Sequence, residues 1–170
     1  MKLVILNGPA GVGKSTVAEK LHAEMPMAFL VNVDAWRRQI SQWREMRRES
    51  QVLSYKIAAA AIGACLADGH DVIVDKAILN DDSTLEELVE TGEKFGADTY
   101  ELILTADKEI VMDRAIKRGF NPAGLLNEEM VETLWNLSQD LRETRPNAVV
   151  IDTSALSPEE VYGSVRSIVL

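Results

Sequence analysis

The sequence predicts an α/β fold, a three-layer sandwich in which helices cover both faces of a five-stranded parallel sheet. Two observations support this prediction. Short apolar runs are typical of strands buried on both faces, and helical spacing of apolar residues between them requires right-handed crossover connections. The five predicted strands are KLVIL at 2–6, AFLVNV at 28–33, DVIVD at 71–75, TYELIL at 99–104 and NAVVID at 147–152.

Helices are predicted between these strands. Apolar residues recur three or four positions apart in three segments, as expected for helices with one buried face. Two helix starts carry a capping box, in which a serine and a glutamate three residues later satisfy free backbone groups. The apolar series are Val17, Leu21 and Met25; Met130, Leu134, Leu137 and Leu141; and Val161, Val165 and Ile168, and the capping boxes are Ser83 with Glu86 and Ser157 with Glu160.

Composition favours a single domain over residues 1–170. The chain is 46% hydrophobic and 26% charged, and we expect no segment long enough to cross a membrane and a cytoplasmic location. The single cysteine, Cys65, excludes an internal disulfide and lies in an alanine-rich run. We therefore interpret it as a small buried residue.

Charge is distributed unevenly along the chain. The net charge of −9 argues against binding nucleic acid by bulk electrostatics. Residues 36–56, in contrast, hold six Arg or Lys residues and two Glu residues, a net charge of +4. Such a segment indicates either a docking surface for an anionic substrate or a solvated helix with paired charges.

A phosphate-binding loop follows the first strand, because residues 8–15 match G-x-x-x-x-G-K-[ST] with Gly8, Gly13, Lys14 and Ser15. Glycines let the backbone turn its N–H groups toward a polyphosphate, and the next helix directs its positive end there. Lys14 then supplies charge to the β and γ phosphates, and Ser15 offers a hydroxyl to Mg²⁺. The predicted triphosphate-binding residues are Gly8, Pro9, Ala10, Gly11, Val12, Gly13, Lys14, Ser15 and Thr16.

Other features discriminate among triphosphate-binding classes. A GTPase normally carries N-K-x-D and D-x-x-G segments, which this sequence lacks, and a motor domain usually needs a longer chain. Asp34 follows the second strand at the carboxyl edge of the sheet, where it can accept the proton of an attacking hydroxyl. Arg37, on the same helical face, can pair with an anionic substrate. The alternative for Asp34 is the N-cap of a helix starting at Ala35.

Three further positions complete the predicted site. Asp75 ends the third strand and either orients Mg²⁺ through water, holds substrate hydroxyls or caps a helix. Arg114 and Arg118 stand four apart before a Gly/Pro segment, which predicts a small lid around 118–126 that delivers both arginines to the transferred phosphoryl group. The alternative is two surface arginines. The segment at 152–160 is expected beside the adenine ring.

Four motifs, in their order and spacing, resemble the small P-loop kinases of the zeta-toxin, chloramphenicol phosphotransferase and polynucleotide 5′-hydroxyl kinase type. They are GPAGVGKST, DAWR, VIVDKAIL and RAIKRG. The resemblance covers most of residues 1–145 and implies the strand order 2-3-1-4-5. It also implies that Asp34 is the base, that Arg37 binds a substrate phosphate, and that Arg114 and Arg118 are lid arginines. Polynucleotide kinases tend to have Thr or Asn after the Asp of the third strand, where this chain has Lys76.

The sequence therefore predicts an ATP-dependent kinase that uses Mg²⁺ and phosphorylates a hydroxyl of a small molecule or a nucleic-acid end. Arg37 and Arg38 would hold the acceptor. A nucleoside monophosphate kinase is the first alternative, since its phosphate acceptor needs no general base. The second is a regulatory protein that binds ATP and contacts a partner through residues 36–56.

Overall fold

Five parallel strands form one sheet in the computed structural model, which describes residues 1–79, 82–120 and 124–170. Each strand coincides with a predicted apolar run. The order β2-β3-β1-β4-β5 is the one implied by the resemblance to P-loop kinases, and that prediction is confirmed. The strands are β1 (Lys2–Asn7), β2 (Phe29–Asn32), β3 (Val72–Asp75), β4 (Asp98–Thr105) and β5 (Val149–Asp152).

The register of β1, β2 and β3 brings polar residues together at one edge of the sheet. Leu6 on β1 is the neighbour of Asp75 on β3, and Asp75 is also the neighbour of Asn32 on β2. Parallel strands end at the same edge of a sheet. The segments that follow these three strands therefore converge at that edge, which is where open α/β sheets bind ligands.

Helices cover both faces of the sheet and so confirm the three layers. On one face, strand residues such as Leu6 and Leu102 pack against α1, α5, α6 and α8; on the other, residues such as Ile5 and Val74 pack against α3 and α4. The helices are α1 (Lys14–Glu24), α2 (Val33–Arg37), α3 (Arg47–Ala67), α4 (Asp82–Lys94), α5 (Lys108–Arg118), α6 (Glu128–Leu137), α7 (Leu141–Thr144) and α8 (Pro158–Val169).

The continuous helix predicted from Met130 to Leu141 is wrong, because the chain forms two helices there. α6 ends at Leu137, and the Ser138 hydroxyl donates to the Trp135 carbonyl oxygen at 2.7 Å where the turn begins. Leu141 then starts α7 and packs with Ile103 in a separate small cluster. A turn thus redirects the last apolar residue of the series to another part of the sheet.

The two predicted capping boxes differ in outcome. The box at Ser157 and Glu160 is present, with both reciprocal hydrogen bonds and Pro158 in the first turn of α8. Ser83, in contrast, follows the first residue of α4, Asp82, and so lies inside the helix. The capping pattern predicted the existence of α4 but placed its first helical residue two positions late.

The helix α3 has the length and composition of a membrane span, contrary to the expectation that no segment does. It has 21 residues and a mean hydropathy of 1.3 over its most apolar window, of which 28% is buried. In the fold, Ala58, Ile62 and Leu66 on one face of α3 pack into the core beside β2 and β3. Cys65 on this helix is half-buried, and burial raises the pKa of its thiol.

Candidate active site

The loop between β1 and α1 has the backbone that a phosphate-binding loop requires. Gly8 has φ 121° and Gly13 has φ 98°, both in the region that favours glycine. A Cβ on Gly8 would lie 2.1 Å from the Leu104 carbonyl oxygen, so the start of the loop lies directly against β4. A Cβ on Gly13 would meet no heavy atom within 4 Å, because this residue borders an open cleft.

A buried asparagine fixes the position of this loop. The Asn7 side-chain oxygen accepts from the backbone N–H of Gly8 at 2.7 Å and of Ile78 at 2.8 Å. Its amide nitrogen donates to the Ile78 carbonyl oxygen at 2.8 Å and to Glu101 at 3.0 Å. Glu101 in turn forms an ion pair with buried Arg145 at 3.5 Å. Asn7 therefore joins the loop to the segment after β3 and to β4.

Lys14, the first residue of α1, reaches back across the loop. Its ammonium donates to the Pro9 carbonyl oxygen at 2.7 Å. Burial lowers the pKa of Lys14 to about 8, and this effect is only partly offset by the negative charges of Asp75 and Asp34. The ammonium thus sits where a bound anion would stabilise its charged form.

Ser15 and Asp75 form the oxygen pair that a divalent cation would use. The Ser15 hydroxyl donates to Asp75 Oδ2 at 2.6 Å, and Asp75 is buried at the end of β3. A hydroxyl and a carboxylate are the hard ligands that Mg²⁺ prefers, so these two residues fit the ion. Among the residues that the structure describes, no three His, Cys, Asp or Glu side chains cluster as a complete metal site. Phosphate oxygens and water would have to complete the coordination.

Asp34 lies in the first turn of α2 and does not cap a helix. Asn32 is the N-cap, and its side-chain oxygen accepts from the Ala35 backbone N–H at 2.9 Å. The Asp34 side chain is 58% exposed and forms an ion pair with Lys76 at 2.5 Å. The alternative prediction, an N-cap at Asp34, is therefore wrong, and its carboxylate faces the site.

Arg37 is engaged by the start of α3. Its guanidinium donates to the Ser50 hydroxyl at 3.0 Å and to the Arg47 carbonyl oxygen, and it lies 5.5 Å from the centre of the Trp43 ring. Arg38 is exposed at the end of α2. Among the ion pairs found within the described ranges, Asp34 pairs with Lys76 and not with Arg37. These contacts tie α2 to α3, a role that the D-x-x-R spacing did not predict.

A cleft of about 290 Å³ opens beside the phosphate-binding loop. Arg114 in its wall donates to the Thr153 hydroxyl at 3.0 Å and to the Thr153 carbonyl oxygen at 2.8 Å. The predicted lid around 118–126 begins at the end of α5, but its residues 121–123 lie outside the described residues. Loop glycines, both arginines and an apolar wall line the cleft: Gly11, Val12, Gly13, Thr16, Val17, Arg114, Arg118, Leu156, Pro158 and Val161.

Two residues of this site were not among the candidates from sequence. Lys76 was noted only as a departure from related kinases, although its position directly after Asp75 placed it at the same edge of the sheet. Asn7 precedes the loop motif, and a polar residue ending an apolar strand was the available signal. Both act through partners more than 40 residues away in sequence.

These features define the class of protein. A glycine-rich loop between β1 and α1, a loop serine bonded to the aspartate that ends β3, and a parallel 2-3-1-4-5 sheet together define a P-loop nucleotide-binding protein. The chain belongs to the family described as AAA domain, whose model matches residues 3–134. A search of curated proteins finds no match.

Solved structures of several kinases share the fold. A sugar kinase from Janibacter sp. HTCC2649 aligns with TM-score 0.71 and 16% identity over 98% of this chain and 93% of that one. Thymidylate kinase from Candida albicans aligns with TM-score 0.68 and 15% identity, over 98% and 90% of the two chains. A chain of the Pnkp1/Rnl/Hen1 RNA repair complex aligns with TM-score 0.67 and 24% identity, over 86% of this chain and 47% of that one. The resemblance to small P-loop kinases is thus confirmed in the fold.

Proposed function

We propose that this protein is an ATP-dependent kinase that transfers the γ-phosphoryl group to a hydroxyl. The observation that carries the proposal is the placement of Asp34, whose exposed carboxylate lies at the sheet edge that also bears the phosphate-binding loop. In the reaction, the acceptor oxygen bonds to the γ-phosphorus while the bond from that phosphorus to the β–γ bridging oxygen breaks. The hydroxyl proton passes to an Asp34 carboxylate oxygen, and the products are the phosphorylated acceptor and ADP.

The phosphate-binding loop and the cleft hold the nucleotide in this proposal. Residues 8–16 and the Lys14 ammonium contact the phosphates, and the apolar wall at Leu156 and Pro158 lies beside the base. Ser15 and Asp75 hold Mg²⁺, which neutralises phosphate charge when bound. Arg114 and Arg118 stabilise charge on the transferred group. Asp75 thereby acts on the metal side of the site rather than on a substrate hydroxyl.

The solved structures that share the fold include kinases, which supports a phosphotransferase, but these proteins differ in their roles. One is a sugar kinase, one a thymidylate kinase, and one belongs to an RNA repair complex. The scaffold therefore supports the reaction type, and the acceptor has to be found from this chain's own residues.

The direct test is incubation of the protein with γ-labelled ATP, Mg²⁺ and separate pools of nucleosides, 5′-hydroxyl oligonucleotides and small hydroxyl metabolites. We expect one pool to take the label into a phosphate ester. Tight Mg²⁺-dependent binding of ATP without labelling of any pool would contradict the kinase proposal and favour the regulatory alternative.

At alkaline pH, the protein should take up a proton when it binds ATP. Because the pKa of Lys14 is about 8 and bound phosphates would raise it, the ammonium must be reprotonated when ATP binds above that pH. ATP affinity should therefore fall by up to about tenfold per pH unit above pH 8. Calorimetry in buffers of different ionisation enthalpy measures the uptake directly. Lys14→Met should abolish it, whereas Lys94→Met, on the distant helix α4, should not.

A further inference from the structure

Two consecutive residues at the end of β3 serve two different parts of the site. Asp75 accepts from Ser15 on the nucleotide side, whereas Lys76 pairs with Asp34 on the acceptor side. The backbone N–H of Lys76 donates to the Leu6 carbonyl oxygen at 3.3 Å, which fixes this residue at the edge of the sheet. Adjacent residues of the chain therefore serve the nucleotide side and the acceptor side of the site.

The ammonium of Lys76 is held in place rather than free in solvent. The Lys76 side chain is only 14% exposed, against 58% for its partner Asp34. Its Nζ lies 5.7 Å from the centre of the Tyr55 ring, and its stem lines a small cavity with Val33 and Ile78. A confined ammonium of this kind loses stability when its anionic partner is taken away.

In the proposed reaction, Lys76 loses the Asp34 carboxylate as its partner. When an acceptor hydroxyl hydrogen-bonds to Asp34, it competes with Lys76 for the carboxylate. A neutral acceptor has no anionic group that can pair with the displaced ammonium, whereas an acceptor phosphate accepts a charge-assisted hydrogen bond from it. Arg37, the anion ligand expected from sequence, is engaged by Ser50 and Trp43 instead.

Resting on the kinase function above, we propose that Lys76 binds an anionic group of the acceptor and that the acceptor is a hydroxyl compound bearing a phosphate. The Lys76 ammonium moves from the Asp34 carboxylate to that phosphate and keeps its proton, while Asp34 takes the hydroxyl proton. The net positive charge of residues 36–56 attracts such an acceptor.

Matched acceptors test this proposal. The probes are adenosine with adenosine 3′-monophosphate and ribose with ribose 5-phosphate, each incubated with γ-labelled ATP. We expect the phosphate-bearing member of a pair to be labelled at least about tenfold faster than its neutral counterpart. Lys76→Met should reduce the ratio of the two labelling rates by at least that factor, because only the phosphate-bearing member loses a ligand. Lys76→Arg should restore part of that ratio.

Binding provides a readout that does not depend on turnover. In protein saturated with a non-hydrolysable ATP analogue, Lys76→Met should weaken the binding of adenosine 3′-monophosphate at least about tenfold by calorimetry. It should not weaken the binding of adenosine, which no longer has to displace the ammonium. The matched control is Lys94→Met, which removes a lysine that lies over an aromatic ring, 5.3 Å from the centre of Phe95, outside the site. Unchanged affinity for the analogue shows that the variant is folded.

The outcomes separate the two proposals. Equal labelling of neutral and phosphate-bearing probes, or an equal loss for both in Lys76→Met, would overturn the role of Lys76 and leave the kinase function standing. Absence of labelling together with tenfold weaker binding of adenosine 3′-monophosphate in Lys76→Met would support Lys76 as the anion ligand while the kinase proposal fails. Unchanged binding of that probe would overturn the inference whatever the activity.

Discussion

Replacing Asp34 with asparagine is expected to slow phosphoryl transfer about 10²- to 10⁴-fold while ATP affinity stays within a fewfold of wild type. Asparagine keeps the size and a hydrogen-bonding oxygen but cannot take up the hydroxyl proton. The fold should tolerate the change, because Asn32 rather than Asp34 caps α2, the Asp34 side chain is 58% exposed, and the asparagine oxygen can still accept from Lys76. Single-turnover rates with the acceptor identified by labelling, together with calorimetry for ATP, measure the two quantities.

The matched control for this variant is Glu24→Gln, which neutralises a carboxylate paired with Arg166 at 2.8 Å on the exposed surface. It should leave the transfer rate unchanged. Full turnover by Asp34→Asn would contradict the base assignment. It would also favour a nucleoside monophosphate kinase, because a phosphate acceptor has no proton that must be removed.

Substituting alanine at two glycines of the phosphate-binding loop should separate folding from binding. In Gly8→Ala the new Cβ would lie 2.1 Å from the backbone oxygen of Leu104, which cannot move without disturbing β4. Overpacking and the strain of a φ of 121° together should destabilise the fold by at least about 3 kcal/mol. Urea unfolding measures this loss.

Gly13→Ala should instead weaken the binding of ATP. Its Cβ would meet no protein atom, so only backbone strain of about 1 kcal/mol or more is expected in the free energy of unfolding. The same Cβ would project toward the cleft and reduce ATP affinity at least about tenfold by excluding a phosphate that approaches the backbone. Gly163→Ala, in open space on α8, is the control. It should leave ATP affinity unchanged and, as alanine in a helix interior, stabilise the fold by up to about 1 kcal/mol. Equal stability of the Gly8 and Gly13 variants would contradict this account.

The sequence predicted those features that depend on local pattern. All five strands were found because a strand buried on both faces must be apolar throughout, and the phosphate-binding loop was found because its glycines and lysine lie within eight residues. The placement of Asp34 and Asp75 at one edge also followed from the pattern, since parallel strands end together. The break between α6 and α7 was missed because Leu141 kept the helical spacing.

The roles of individual long side chains could not be predicted in the same way. Arg37 sits at the spacing expected for a substrate ligand, yet its guanidinium binds Ser50 on α3, whose packing is a tertiary property. Lys76 is a charged residue after a strand, which ordinarily indicates a solvated position. Only the meeting of β2 and β3 brings it to Asp34, 42 residues away.

The contact between Asn7 and Ile78 has a consequence for how such proteins diverge. Asn7 binds the backbone N–H and carbonyl oxygen of residue 78 and makes no use of its side chain there. The two bonds need only the backbone N–H and carbonyl oxygen of this residue, although its buried side chain must stay apolar to preserve the packing. The half-buried residues Lys76 and Ala77 that precede it can therefore change through evolution while this segment keeps its position relative to the phosphate-binding loop. A single asparagine thus allows the residues after β3 to change while the phosphate-binding loop keeps its position.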